Sequence, residues 1–184
     1  QSLVGPPLMV HGTPAQQQRY LPPLLRGDEQ WCQLFSEPGA GSDLAALSTR
    51  AVRDGDEFVV TGQKVWSSEA QHADFGILIA RTDPDVPKHR GLTVFILPIH
   101  QPGIEVHRIE MLNGTKEFCQ EFITDVRVPD TDRVGDVDLV QPAGRDHLAR
   151  SLEGAGRGAA GIVSTTHGKR PQLHSVLLDP NRGA

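Results

Sequence analysis

Aromatic side chains are scarce in this chain of 184 residues, which has six phenylalanines, two tryptophans and one tyrosine. No apolar run approaches the length of a membrane span, and no signal peptide is visible. The composition therefore predicts a globular protein with one domain and part of another, and cytoplasmic location is the default. The sequence starts at Gln1, not Met, in the middle of a pattern, so we expect a fragment or a processed piece.

Cysteine is scarcer still, with two residues. Cys32 and Cys119 both lie within apparent strands, which favours small buried thiols in a reducing compartment over a disulfide or a catalytic role. The eight histidines show neither an HxxxH pattern nor Cys/His ligand spacing, so no metal site is expected. Residues 141–184 hold six Lys/Arg against three Asp/Glu, which leaves an acidic body that argues against a nucleic-acid partner.

Residues 1–30 have the pattern of the end of a helical domain. Thr13 is the predicted N-cap, Pro14 the first helical residue and Gln16 the return partner of a capping box. The pair Pro22-Pro23 is expected to break this helix into two short pieces, because proline removes an amide donor and clashes with the preceding turn.

From residue 31 the hydrophobic period changes to two, which indicates strands. Asp54-Gly55 predicts a hairpin, Asn113-Gly114 another turn, and Gly62-Gln63 a turn that separates two short strands. Residues 31–137 are thus predicted to form an all-β domain of seven or eight strands, a barrel or a sandwich, and the fold class is α+β. The expected strands are 31–35, 47–53, 57–61, 64–68, 75–82, 91–99, 104–110 and 117–128.

The pattern fails towards the C-terminus. Residues 138–184 form a Gly/Arg-rich tail, and residues 141–184 contain no Phe, Trp or Tyr. Nothing there can build a core, so the tail is expected to be irregular, either disordered or weakly helical.

Residues 36–43, Ser-Glu-Pro-Gly-Ala-Gly-Ser-Asp, are the most informative stretch. They follow an apolar strand, and glycine at this point permits a sharp turn and close approach of another group to the main chain. The turn would present backbone N–H groups and the hydroxyls of Ser36 and Ser42, a cradle for a polar or anionic ligand. Alone, such a turn is more often a simple connection between strands.

A second informative stretch, residues 62–68, reads Gly-Gln-Lys-Val-Trp-Ser-Ser. A tryptophan before two hydroxyl residues at a strand end offers a flat apolar face beside hydrogen-bond donors. That surface suits a planar heteroaromatic ring with polar edges. Alone, Trp66 would more often be a core residue, but beside residues 36–43 the binding-site interpretation is favoured.

With these motifs the sequence resembles the acyl-CoA dehydrogenase family. Four stretches carry the resemblance, in the order and spacing of that family's middle β-domain, and it covers about residues 3–137. They are residues 16–25 with Gly27, residues 35–43, residues 62–68, and Asp-Val-Arg-Val-Pro at 125–129.

The resemblance implies an FAD cofactor held against the β-domain. By position, Ser36 would face the N1/O2 edge of the flavin, Trp66 would pack against the isoalloxazine ring, and Ser68 would donate to N5, the atom that accepts hydride. Ser42 would lie near both the pyrophosphate and the acyl-CoA substrate. The full set of cofactor-binding residues implied is Gln33, Phe35, Ser36, Gly41, Ser42, Trp66, Ser67 and Ser68.

The family reaction removes a proton α to a thioester and a hydride from the β carbon, giving a 2,3-enoyl-CoA. The resemblance implies electron-transferring flavoprotein as the acceptor and a homo-oligomer as the complete enzyme. Glu69 departs from the pattern, since relatives usually carry a small or neutral residue there. We expect its carboxylate either to lower the flavin potential or to turn to solvent.

The family's catalytic base is a glutamate from a C-terminal four-helix bundle, and this sequence has no such bundle. Glu153 does not match the context of that base, so no catalytic residue is assigned and the chain alone is expected to be inactive. Three alternatives stay open: a piece of a working dehydrogenase, a truncated or frame-shifted β-domain whose composition changes near residue 138, or an acyl-CoA oxidase or flavin monooxygenase on the same scaffold.

Overall fold

The computed structural model describes residues 3–135 and begins with two helices, α1 (Gly5–His11) and α2 (Pro14–Arg26). The predicted capping box is present at the start of α2. The Gln16 N–H donates to Thr13 Oγ1 at 3.2 Å, and the Thr13 N–H donates to Gln16 Oε1 at 3.0 Å. Two of the donors that a helix start leaves unpaired are thereby satisfied.

The Pro22-Pro23 pair does not divide α2, so that prediction was wrong. The helix continues to Arg26 and ends at Gly27, whose φ of 78° is the left-handed conformation that favours glycine. The Gly27 N–H donates to Leu24 O at 3.3 Å and the Asp28 N–H to Pro23 O at 3.0 Å. These terminal bonds hold the last turn although the two prolines supply no amide donors to it.

Eight strands follow. The predicted turn at Gly62-Gln63 is absent, because β3 is one strand of 12 residues. The register of its pairing with β7 shifts between Val60 and Gly62 and again between Val65 and Ser67. The strand therefore continues through this stretch with β-bulges and not with a turn. The strands are β1 (Trp31–Leu34), β2 (Arg50–Asp54), β3 (Glu57–Ser68), β4 (Phe75–Arg81), β5 (Leu92–Pro98), β6 (Ile104–Ile109), β7 (Phe118–Pro129) and β8 (Arg133–Val134).

The strands form one sheet in the order β6-β7-β3-β2-β4-β5-β8, and β1 pairs in parallel with β4. Within residues 3–135 no pairing joins β6 to β8, so the sheet is not a closed barrel. The α+β class is confirmed, as is the hairpin at Asp54-Gly55, where Gly55 has a φ of 65°. The domain boundaries at 30 and 137 stay predictions.

Two apolar clusters cover the sheet. One contains Phe58, Phe95 and both cysteines, which are buried and free, as predicted. The other packs Leu8 and Leu24 of the helices against the strands. Within the described part of the chain, no helix is both long and apolar enough to cross a membrane. The tail of residues 138–184, including Glu153, lies outside the described residues.

Candidate functional site

Trp66 stands at the end of β3 as the extra residue of a β-bulge. Its neighbours Val65 and Ser67 pair with Gln120 and Cys119, which are consecutive in β7. The bulge gives Trp66 a φ of 66°, a conformation that is uncommon for a bulky residue and that clusters at functional sites. The side chain is turned outward and is 58% exposed.

A cleft of about 200 Å³ opens beside the Trp66 ring. Gln33 and Ser68 bring an amide and a hydroxyl to its wall, and the buried indole Nε1 of Trp31 has no partner among residues 3–135. An apolar face beside residues with an amide and a hydroxyl fits a planar heteroaromatic ligand. The lining residues are Leu3, Val4, Trp31, Cys32, Gln33, Trp66 and Ser68.

The loop of residues 36–43 is closed by two main-chain bonds, in which the N–H groups of Glu37 and Ala40 each donate to the other's carbonyl at 2.9 and 3.0 Å. Neither Gly39 nor Gly41 has a positive φ, and a Cβ at either position would meet nothing within 4 Å. Glycine at these positions therefore leaves the main chain open to a ligand without supplying an unusual backbone angle.

A buried lysine ties this loop to β3. Lys64 Nζ donates to Glu37 Oε1 at 2.9 Å, to Phe35 O at 3.0 Å and to Ile79 O at 2.8 Å, which uses all three ammonium protons. The Val65 N–H also donates to Ser36 O at 2.9 Å. The loop and the strand end that carries Trp66 are thus fixed relative to each other.

The carboxylate of Glu37 is held just as firmly. It accepts from the N–H and Oγ of Ser48 at 2.6 and 2.7 Å and from the Thr49 N–H at 2.9 Å. Burial alone would raise the pKa of Glu37, but attraction to Lys64 and these hydrogen bonds outweigh it and lower the pKa to about 2. Burial lowers the pKa of Lys64 to about 8, with Glu37 opposing the change.

The structure brings Gln33, Trp66 and Ser68 together at the cleft, and it links Ser36 to them through Val65. Ser67 differs, because its hydroxyl points inward and donates to Glu121 Oε2 at 2.8 Å. The other predicted residues lie away from the cleft: Phe35 packs against the helix-side apolar cluster, and Gly41 and Ser42 are exposed on the outer part of the loop.

Glu69 is turned to solvent, with its side chain 54% exposed, which is one of the two outcomes expected for it. Three charged residues of this region were not predicted from the sequence: Lys64, Glu37 and Glu121. A signal for Lys64 was available: it lies an even number of residues after Phe58 and Val60, the inward-facing positions of the same strand, and should therefore face inward as well. Nothing local identifies Glu121 as its cross-strand neighbour.

Comparison with known proteins identifies the family. A family model described as "Acyl-CoA dehydrogenase, middle domain" matches residues 32–126, more than half of the chain. The chain belongs to the acyl-CoA dehydrogenase family. It is 46% identical to the acyl-CoA dehydrogenase FadE34 of Mycobacterium tuberculosis over 156 residues, which are 85% of this chain and 22% of that protein.

A second relative, the acyl-CoA dehydrogenase IpdE1 of M. tuberculosis, is 43% identical over 79% of this chain and 36% of its own length. Among solved structures, the G363A variant of the Tcur3481-Tcur3483 steroid acyl-CoA dehydrogenase matches with a TM-score of 0.77 and 40% identity over 88% of this chain and 41% of that one. This acyl-CoA dehydrogenase chain therefore spans about a fifth to two fifths of the length of these relatives.

Proposed function

We propose that this chain supplies the β-domain wall of an FAD site in an acyl-CoA dehydrogenase. The observation that carries the proposal is the joint between residues 36–43 and the end of β3, made by Lys64, Glu37 and the Val65–Ser36 bond. The joint fixes an open, glycine-containing main chain beside an exposed tryptophan and a hydroxyl. Preorganised groups of this kind lower the cost of binding a rigid ligand.

Different residues of the chain bind different parts of the cofactor. Trp66 packs on one face of the isoalloxazine ring, Gln33 lines it, and the hydroxyls of Ser36 and Ser68 donate to its polar edges. Ser67 contributes through its main chain, while Gly41 and Ser42 face the pyrophosphate and Ser42 also contacts the acyl-CoA. When bound, FAD supplies the redox chemistry by accepting hydride at N5.

We assign the complete protein the α,β-dehydrogenation of an acyl-CoA thioester to a 2,3-enoyl-CoA. Electron-transferring flavoprotein is the proposed electron acceptor, and the proposed assembly is a homo-oligomer. The proposed catalytic base lies in a C-terminal helical bundle, outside residues 3–135. An acyl-CoA oxidase or flavin monooxygenase would instead consume oxygen, which measurement of oxygen uptake against electron-carrier reduction in the complete protein distinguishes.

A frame-shifted, non-catalytic β-domain is the competing interpretation, prompted by the composition change near residue 138. Sequencing the DNA around codons 135–145 decides it. An alternative frame that restores a helix beginning with Gly-Trp and a downstream glutamate supports the frameshift, and the lack of such a frame eliminates it.

The flavin wall is tested by equilibrium dialysis of the chain against FAD. We expect weak, saturable binding that Trp66→Ala weakens by about tenfold, since loss of ring stacking costs about 1 to 1.5 kcal/mol. Trp66 is mostly exposed, so thermal unfolding should change little. The matched control is Val52→Ala on β2, a comparably exposed apolar residue outside the cleft, which should bind FAD as the parent chain does. Unchanged binding in Trp66→Ala would remove Trp66 from the site.

A further inference from the structure

Glu121 is a completely buried acid directly behind the candidate flavin wall. It lies in β7 opposite Lys64 of β3, and none of its surface is exposed. Oε2 accepts the hydroxyl proton of Ser67 at 2.8 Å, whereas Oε1 has no hydrogen-bond partner among residues 3–135. A fully buried carboxyl with one unpaired oxygen requires an explanation, because burial of an unpaired charge is costly.

Lys64 does not neutralise this acid. Its three protons go to Glu37 and to two main-chain carbonyls, so the nearest cation is already committed. The other titratable groups that act on Glu121 or are acted on by it are the thiols of Cys32 on β1 and Cys119 on β7, neither of which is a cation. Burial raises the pKa of Glu121 to about 7, with Ser67 and Lys64 opposing the rise.

The one hydrogen bond that Glu121 makes reaches the binding wall. Ser67 lies between Trp66 and Ser68, and its inward hydroxyl donates to Glu121, while the Trp66 ring packs edge-on against Phe118. Trp66 occupies the strained bulge position next to Ser67. Glu121 therefore holds the residue next to the bulge by a side-chain bond, in addition to the main-chain pairing of Val65 and Ser67 with β7.

We propose that Glu121 is a positioning residue for the flavin wall: it holds Ser67 and so sets the position of Trp66 and Ser68, and loss of its proton moves this strand end. An ionised Glu121 accepts from Ser67 more strongly, but its unpaired Oε1 then carries charge in the core. Solvation of that charge requires the end of β3 to move, since Lys64 is already engaged. The importance of this coupling for cofactor binding rests on the proposed function, but the coupling itself is a property of the chain without flavin.

The test labels the only two tryptophans of the chain with 5-fluorotryptophan and follows their ¹⁹F NMR signals against pH. Trp66→Phe assigns the Trp66 signal, and Trp31 is the internal control. We expect the Trp66 signal to move with a midpoint near pH 7 in the parent chain. The shift should disappear in Glu121→Gln, a neutral isostere that still accepts from Ser67 and keeps every histidine.

The proposal is wrong if the Trp66 signal does not respond to pH. It is also wrong if the signal moves equally in Glu121→Gln, and that result would assign the effect to histidine. Ser67→Ala is the second variant, for use if Glu121→Gln does not fold. This variant retains Glu121 but lacks the hydroxyl that binds it, so the pH-dependent shift of the Trp66 signal should again be lost. A retained shift contradicts the proposal.

Binding of FAD provides a separate readout. Affinity should fall as the pH rises through about 7 in the parent chain and stay constant in Glu121→Gln. If FAD does not bind but the Trp66 signal titrates as described, the proposed function fails and the positioning role stands. If FAD binds, but Glu121→Gln changes neither the pH response of the Trp66 signal nor that of the FAD affinity, the positioning role fails and the proposed function stands.

Discussion

Lys64 joins the loop of residues 36–43 to the strand that carries Trp66, although its charge would ordinarily keep it out of a protein core. Its side chain is 0% exposed and that of Glu37 is 4% exposed. A buried ion pair gives little net stability compared with apolar residues of the same shape, yet removal of one partner leaves an uncompensated charge. The pair is therefore best understood as a device that fixes geometry.

Glu37→Gln is expected to lower the free energy of unfolding by about 3 to 5 kcal/mol, because it strands the Lys64 ammonium in the core. The measurement is urea unfolding of Glu37→Gln, Lys64→Met and the double variant. The double variant should lose much less than the sum of the single losses. Additive losses would show that the two side chains do not act as a pair.

The same pair predicts acid sensitivity. The folded-state pKa of Glu37, about 2, lies below the value of 4.5 for an exposed glutamate, so the stabilisation is complete above pH 4.5 and is lost as the pH falls towards 2. The Glu37→Gln chain lacks this group, so its stability should fall less steeply over that interval. If the parent chain and Glu37→Gln lose stability equally over this interval, Glu37 is not the source of the acid sensitivity.

At the residue scale, three of the residues predicted from the sequence are brought together by the structure, while their role in flavin binding stays a prediction. Gln33, Trp66 and Ser68 do meet at one cleft. The inward orientation of Ser67 was not predicted, because a bulge shifts the alternation of a strand by one residue and two adjacent serines carry no signal for it.

At the element scale, β3 crosses closely over Thr49 at Gly62. A Cβ at Gly62 would lie 2.7 Å from Thr49 Cα, a distance that real side chains do not adopt. This close approach, and not a turn, is the reason for glycine in the middle of the strand.

Gly62→Ala should therefore force β3 away from Thr49 and cost about 1 to 3 kcal/mol of unfolding free energy, as overpacked cores do. Gly41→Ala is the matched control, since a Cβ there meets nothing within 4 Å and no positive φ is present. Its stability should stay within about 0.5 kcal/mol of the parent. Thermal or urea unfolding of both variants provides the comparison, and equal losses would contradict the close-packing account.

Most elements were predictable because their patterns are local. The capping box, the Asp54-Gly55 hairpin and the period of the strands each lie within a few residues. The pairing of β1 with β4 was not predictable, since nothing in either strand encodes a partner 44 residues away, and the continuity of α2 depends on a C-terminal cap that a simple proline rule ignores.

At the scale of the whole molecule, residues 3–135 present a wall and not an enclosed site. Trp66 is 58% exposed, and the cleft beside it has a volume of only about 200 Å³. A ligand held on one face keeps much of its surface in water, which limits its affinity.

The purified chain should accordingly retain little FAD, and its visible absorbance should show far less than one flavin per chain. Addition of excess FAD before gel filtration is the control, because weakly held flavin will separate from the protein on the column. A yellow protein with stoichiometric flavin would show that these 184 residues bind the cofactor without the family's helical bundle.

The side-chain amide of Gln16 donates to Thr131 O at 2.7 Å and to Arg133 O at 2.9 Å, across 115 and 117 positions of the chain. Closure of a loop of that size costs entropy that local contacts do not repay. The β2–β3 hairpin can form early, whereas docking of α2 on the last strand must wait until all other strands exist. We therefore expect the Gln16 bonds to form late, so a nascent chain that has emerged only as far as β7 would hold α1 and α2 by their apolar packing against β4 and β5 alone.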